Sequence, residues 1–257
     1  ALKMMKSFNS SKRIDNLNLR TVGSGGEALG EDLLGWGKDI LGVGINEFYG
    51  QTECNLTISN NGAIMPTKQG SIGKPVPGHL VRLMDKNNQF IIKPGYDGEI
   101  VVKYDTPVAF LKYWENDIET KQKVIDGWLH TGDYAYKDDA GYFYFKGRED
   151  DIINSSGYRI GPSEVEDCIL SHSEVDMVAV VGVPDKIRGQ IIKAFIIPKD
   201  KNNVLDQNKK MKENIQDYVK LKLAVHEYPR IIEFVNDLPM TTTGKIIRKI
   251  LREDFTK

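Results

Sequence analysis

Lys245 stands directly behind a glycine in the run LPMTTTGKIIRK (238–249), where a stretch of threonines meets a basic segment. Such a stretch packs poorly in a core, so the sequence predicts a mobile polar turn that opens a helix just after Gly244. A flexible ammonium at the tip of a loop can enter and leave a site elsewhere, and its compact charge suits phosphate and carboxylate oxygens. Upstream, FYGQTE (48–53) offers a hydroxyl at Thr52 and a hard oxygen donor at Glu53. Asp133, in WLHTGD (128–133), can accept from two neighbouring hydroxyls, and Arg148 carries a planar fork of donors. Each has an ordinary alternative: a solvated lysine, a loop acid, a turn-capping aspartate, and a surface arginine paired with Glu149 or Asp151. Taken singly, none of these residues establishes a site.

The elements that would hold these groups follow from patterning. Residues 19–60 read as strand, glycine turn, helix and strand: LRTVGS ends at Gly25-Gly26, GEDLLGWGKDIL has helical spacing, and INEFYG is a short strand. Proline and glycine punctuate 62–78, which reads as loop. From 79 to 147 short strands (HLVRLM, EIVVKY, YFYFKG) alternate with turns, and one helix falls at about 115–125. Beyond Arg148, Pro162 suits the first turn of a helix reaching about Ser171, and VDMVAVVGV and QIIKAFIIP are buried strands. A helix over 209–223 and a strand in PRIIEFV follow. The expected fold is α/β plus α+β: 1–78 as the tail of a large β/α sheet subdomain, 79–149 as a small β-subdomain, and 150–257 as an α+β domain.

Composition narrows the partners. A chain of 257 residues can bury one or two cores, and a formal net charge of -1 gives no electrostatic footprint for nucleic acid. No stretch approaches the roughly 20 apolar residues that span a bilayer. Cys54 and Cys168 are too few for a disulfide framework or a zinc site, and neither has a histidine placed to make it a nucleophile. The expected compartment is the cytoplasm, or the mitochondrial matrix for an animal protein. An oligomer is compatible with this composition. The opening ALKMMKSF has neither signal-peptide anatomy nor an N-cap, and reads as the middle of a helix from a longer chain.

Five segments in order, SGGEAL (24–29), FYGQTE, WLHTGD, GREDDIINSSGYRIGPSEVE (147–166) and the Lys245 run, resemble the adenylate-forming superfamily. Its members include acyl-CoA synthetases, luciferases and peptide-synthetase adenylation domains. The resemblance covers essentially the whole chain as a C-terminal half, and NSSGYRIGPSEVE is most similar to medium-chain acyl-CoA synthetases. It implies activation of a carboxylic acid by Mg-ATP to an acyl-adenylate and pyrophosphate, then transfer of the acyl group to coenzyme A.

The resemblance places nucleotide contacts at Gly25, Gly26 and Glu27, along Glu47, Phe48, Tyr49, Gly50, Gln51 and Thr52, and at Asp133, Arg148, Arg159 and Lys245. In these roles Gly25-Gly26 lies flat on a purine, Tyr49 faces the adenine, Thr52 meets the α-phosphate, and Asp133 holds both ribose hydroxyls. Glu53 would bind Mg2+, so Thr52, Glu53 and Lys245 are the catalytic candidates. Asp150 falls at the hinge about which the C-terminal domain turns between half-reactions. Adjacent Asp150 and Asp151 diverge in an extended segment, which argues against a metal pair.

Coenzyme A would meet Ser156, Gly157 and Tyr158, with Arg188, Lys220 and Tyr228 further on; Val225 stands where a proline is usual. Gly50 occupies the place of a tryptophan that floors the pocket of acetate-specific relatives, which points to a medium-chain or branched acid. The family's phosphate-gripping Ser/Thr/Gly/Lys loop has no match here, so the N-terminal half of the same protein is an expected partner. Two other readings stand beside this one: adenylation with another acceptor, such as a carrier-protein thiol, and a non-catalytic nucleotide- or coenzyme-A-binding module.

Overall fold

The computed structural model describes residues 2–8, 12–14, 16–26, 29, 31–200, 206–241 and 244–253. The chain divides between Phe145 and Lys146 into two compact units, a few residues before the expected boundary between 149 and 150. In the first unit, α1 (Leu2–Phe8), β1 (Val22–Gly25) and α2 (Glu31–Trp36) lead into a π-helical turn, Gly37–Leu41. The turn ends at Gly42 in a left-handed conformation. A continuous helix was expected over these residues. The widened turn instead lays Gly37 against the next strand, where a Cβ would come within 2.4 Å of Ile45 Cδ1.

Strand β2 (Ile45–Gln51) pairs parallel with β1, then β3 (Asn55–Ser59) and β4 (Lys74–Pro75) add antiparallel, in the order β1-β2-β3-β4. The second sheet of this unit contains β5 (Val81–Met84), β6 (Gly98–Lys103), β7 (Val124–Ile125), β8 (Trp128–Lys137) and β9 (Phe143–Arg148). Its order is β5-β6-β8-β7, and β9 also pairs with β8. Ahead of β7, α3 (Asp117–Lys123) is capped by the Asn116 side chain, which accepts from the Glu119 N–H. Period-2 alternation sends Val81, Leu83, Ile100, Val102 and Leu129 inward, where they pack with Tyr49, Cys54 and Ile58 of the first sheet.

In the second unit β10 (Ile153–Ser155) and β11 (Tyr158–Ile160) form a hairpin, followed by α4 (Pro162–Leu170), β12 (Val175–Asp185), β13 (Gly189–Pro198), α5 (Asp206–Lys222), β14 (Ile231–Phe234) and α6 (Arg248–Glu253). The sheet runs β11-β10-β13-β12, with β14 parallel to β13. Along β12 and β13, Val178, Val180, Ile192, Ala194 and Ile196 face α4 and α5. Ala179, Val181, Val183, Phe195 and Ile197 face Leu238 and Leu251 on the other side. A sheet covered on both faces reads as a continuous apolar run, and VDMVAVVGV and QIIKAFIIP have that pattern.

The last helix departs from expectation. It begins at Arg248 rather than just after Gly244, because the chain first folds back on itself. Met240 and Ile246 form a β-bridge, and the Thr241 and Ile247 N–H groups donate to Lys245 O (2.8 Å) and Pro239 O (2.8 Å). Met4 and Met5 are exposed on α1. Among the described residues no helix is long and apolar enough to cross a membrane.

Candidate functional site

Strand β8 opens with WLHTGD, so alternation turns Leu129, Thr131 and Asp133 inward; Asp133 is not a turn cap. A register slip on β6 between Glu99 and Val101 lies beside Gly132, whose φ is 74°. Glu99 fastens this bulge, accepting from the Gly132 N–H (2.8 Å) and pairing with His130 Nδ1 (2.8 Å). Thr131 is fully buried, with its hydroxyl donating to Ile100 O (2.6 Å) and accepting from the Asp133 N–H (3.1 Å).

Asp133 is thereby presented to β2. Its Oδ2 accepts from the Tyr49 hydroxyl (2.7 Å) and from Gln51 Nε2, which also donates to Thr131 O (2.9 Å). Two donors at Oδ2 fix the orientation of this carboxylate between β2 and β8. Tyr49 lies deeper than an open aromatic platform would. Its ring is only 8% exposed and lies inside the core, 6.1 Å from the Phe145 centroid, so it presents no open face to adenine. Burial, reinforced by the Asp133 carboxylate, pushes the Tyr49 phenol well above its ordinary pKa and keeps it a donor.

Neighbouring positions on β2 are explained by packing. Ser24 pairs with Glu47 and Gly25 with Phe48. A Cβ at Gly25 would sit 2.4 Å from Phe48 Cε2 and 2.9 Å from Phe48 O, so this glycine admits the phenylalanine ring. Gly26 follows with φ 95°, and Glu27 lies outside the described residues. Glu47 is buried and accepts from the Leu29 N–H (3.1 Å); desolvation raises its carboxyl, and that hydrogen bond opposes the rise.

A Cβ at Gly50 would lie 1.8 Å from Asn55 O and 2.6 Å from Asn55 C, where β2 and β3 slip register. The backbone packing alone therefore accounts for a glycine there. Gly50→Ala is expected to cost about 1–3 kcal/mol by overpacking against that backbone. A lowered thermal midpoint without ligand would register this, and an unchanged midpoint would contradict it.

Thr52 is exposed and Glu53 half-buried at the end of β2. The Tyr113 hydroxyl donates to Glu53 Oε1 (2.6 Å), the Phe110 N–H donates to Glu53 O (2.8 Å), and the Phe110 and Tyr113 rings stand 4.9 Å apart. Sequence reasoning missed Tyr113, which lies 60 residues from Glu53 in an irregular segment. No group of three or more His, Cys, Asp or Glu side chains that could hold a metal occurs among the described residues. One oriented carboxylate without a cage fits a magnesium ion that keeps phosphate oxygens and water as its other ligands.

The coenzyme A candidates lie in the second unit. Ser156 and Gly157, with φ of 52° and 85°, make the two-residue turn joining β10 to β11, and the Ser156 N–H donates to Arg188 O (3.0 Å). Nothing lies within 4 Å of a Cβ built on Gly157, in contrast to Gly25 and Gly50. Arg188 is half-buried, its N–H donating to Asp185 Oδ1 (2.8 Å); this bond and the Ile187 N–H hold the Asp185 carboxyl below its ordinary pKa.

Tyr158 stacks on His226 with centroids 3.8 Å apart, close to the loop that carries Tyr228. Lys220 Nζ lies 4.7 Å over the Tyr228 ring and pairs with Asp217, while Arg230 donates to the Tyr228 hydroxyl (2.7 Å). The turn is thus joined to Arg188, Tyr158 to the 226–230 loop, and that loop to Lys220. His226 and Arg230 were not legible as members because aromatic stacking has no sequence spacing. Arg159, between Tyr158 and Ile160 on β11, is half-buried.

Lys245 is exposed at the end of the folded-back loop, with Gly244 at φ 87° and its own N–H donating to Thr241 Oγ1 (3.1 Å). No salt bridge to its ammonium occurs among the described residues. Arg148 Nε lies 3.3 Å from Asp150 Oδ1, both side chains being more than half exposed. Burial pushes the Cys168 thiol up to about 11 and raises that of Cys54, so both stay protonated and inert.

Comparison with known proteins accounts for the order of these segments. Residues 1–114 match the family of AMP-binding enzymes, and residues 164–245 match the AMP-binding enzyme C-terminal domain. An uncharacterized acyl-CoA ligase, YtcI of Bacillus subtilis (strain 168), is 40% identical over 98% of this chain and 46% of its own length. The 4-hydroxybutyrate-CoA ligase 1 of Metallosphaera sedula is 42% identical over 91% of this chain and 41% of its own. The crystal structure of the anthranilate CoA ligase AuaEII with anthranoyl-AMP superposes with a TM-score of 0.82 at 35% identity, over 93% of this chain and 44% of that one. The chain spans about half the length of the curated relatives it matches. It carries segments of both domains in their order and belongs to the AMP-binding, adenylate-forming enzymes.

Proposed function

We propose that the complete polypeptide is an AMP-forming acid:coenzyme A ligase acting on a small-molecule carboxylic acid. The observation that carries the reading is the convergence on Asp133: FYGQTE and WLHTGD, 80 residues apart, meet through Tyr49, Gln51 and Thr131 around one buried carboxylate. Acyl-CoA ligases among the relatives support the same reaction class. In this reading a carboxylate oxygen attacks the α-phosphorus of ATP, the bond to the β-phosphate breaks, and pyrophosphate leaves. Lys245 sets a cation between two anions that must approach each other. Glu53, oriented by Tyr113, would hold Mg2+, which would supply neutralisation of phosphate charge.

In the second half-reaction the coenzyme A sulfur attacks the acyl carbon, the acyl–phosphate bond breaks, AMP departs, and the thiol proton passes to solvent. Gly157 gives the pantetheine arm room, with Ser156, Tyr158, Arg188, Lys220 and Tyr228 around it, and Arg159 is kept as a nucleotide contact. The hinge at Asp150 lets the 150–257 domain serve the two steps in turn. The experiment is a titration of free coenzyme A against the complete polypeptide with Mg-ATP and a panel of carboxylic acids. Acyl-CoA and AMP formation should rise saturably and in equal amounts. Adenylation indifferent to free coenzyme A would favour a carrier-protein acceptor, and AMP binding without turnover would favour a binding module.

A further inference from the structure

Asp150 and Asp151 do not lie in an extended segment; residues 149–151 form a turn in which the Asp151 and Ile152 N–H groups both donate to Arg148 O (3.0 Å each). Both acids are held by arginines of α6, a hundred residues later. Arg252 Nη1 donates to the main-chain oxygen of Asp150 (2.6 Å) and to Asp151 Oδ1 (2.7 Å). One turn earlier on the same helix face, Arg248 Nη1 stands 3.6 Å from Asp151 Oδ2, and its Nη2 donates to Glu166 Oε2 (2.6 Å). Glu166 Oε1 in turn accepts from the Val180 N–H (2.8 Å) on β12. Asp151 and Glu166 side chains are only 11% and 10% exposed, so these pairs are shielded from water. Leu251, between the two arginines, is buried against the sheet.

Covalent geometry gives this arrangement a direction. Rotation about the N–Cα and Cα–C bonds of Asp150 carries its carbonyl oxygen along with the residues that follow. The Arg252 bonds to Asp150 O and Asp151 therefore survive such a rotation, whereas the two N–H bonds to Arg148 O span it and must release. We propose that Arg252, backed by Arg248 and Glu166, clamps the downstream side of the pivot to α6. Rotation at Asp150 is then delivered without slack to the loop that ends in Lys245. Arg252 is a positioning residue, and the proposal rests on the two-step reading above.

The test uses the complete polypeptide and compares Arg252→Ala and Arg252→Lys with the unaltered protein and with Lys245→Ala. Arg252→Ala should lower acid-dependent pyrophosphate exchange by roughly 10–100-fold, as a displaced catalytic group does. Thioester formation from supplied acyl-adenylate should stay within about twofold, a change too small to count as a lost contact. Arg252→Lys should recover only part of the loss, because one ammonium cannot reproduce the two-pronged hold. In a Lys245→Ala background Arg252→Ala should add nothing further. Independently of activity, amide hydrogen exchange should quicken at 151–152 and 246–253 in Arg252→Ala. Equal loss of both half-reactions, or unchanged exchange in those segments, overturns the clamp. Absence of acid-dependent pyrophosphate exchange in the unaltered polypeptide would instead refute the ligase reading, while hydrogen exchange would still decide the clamp.

Discussion

Lys245→Ala is expected to lower acid-dependent pyrophosphate exchange by about 10²–10³-fold, the range seen when one placed electrostatic contact is removed from a developing charge. The reason lies in what the first half-reaction must bring together. A carboxylate and an α-phosphate repel, and the transition state spreads negative charge over both. A cation at that point stabilises the transition state more than the separated reactants, so the effect falls on kcat rather than on ATP binding. In the proposed reading the loop would present this cation: Thr241 and Gly244 close the turn, Met240 and Ile246 bridge behind it, and Lys245 is exposed. None of those supports depends on the Lys245 side chain. The variant should therefore fold, and thioester formation from supplied acyl-adenylate should survive, since that step has no second anion to neutralise.

Gly157→Leu should do the reverse, lowering thioester formation by upwards of about 10²-fold while pyrophosphate exchange continues; blocked approach of a reacting group carries a penalty of that size. Two effects coincide at this residue. A φ of 85° strains any branched side chain, at a cost of about 1–2 kcal/mol in stability. Open space around the built Cβ means that the side chain meets no protein atom, so the fold should tolerate it. Gly157→Asn separates the two, because asparagine adopts left-handed backbone readily. If strain caused the loss, asparagine would restore activity. If bulk in the path of the thiol caused it, asparagine would restore little.

How far the sequence carries can be judged residue by residue. β12 and β13 were legible because a sheet buried on both faces leaves an unbroken apolar run, and α4 because proline suits a first helical turn. The start of α6 was misplaced because bonds from Thr241 and Ile247 fold the chain back before Arg248, and local helical propensity does not register a β-bridge. The packing at Gly50 was hidden for a similar reason. Its need for no side chain comes from Asn55 O across a register slip, a contact that exists only once β2 and β3 have paired.

Among the site residues, Asp133 was legible as a candidate, but its partners Tyr49 and Gln51 emerge from the meeting of two sheets. That meeting also turns the Tyr49 ring into the core. Arg252 escaped notice because its partners lie about a hundred residues away, with no periodicity to announce them.

The division of labour between Lys245 and Gly157 is tested most directly by measuring both half-reactions side by side in the complete polypeptide and in the two variants. The measured quantity is the ratio of acid-dependent pyrophosphate exchange to thioester formation from supplied acyl-adenylate. A low ratio in Lys245→Ala and a high ratio in Gly157→Leu are predicted, each relative to the unaltered protein. If both variants lose the same half-reaction, so that the two ratios move together, the assignment of these residues to separate steps is wrong.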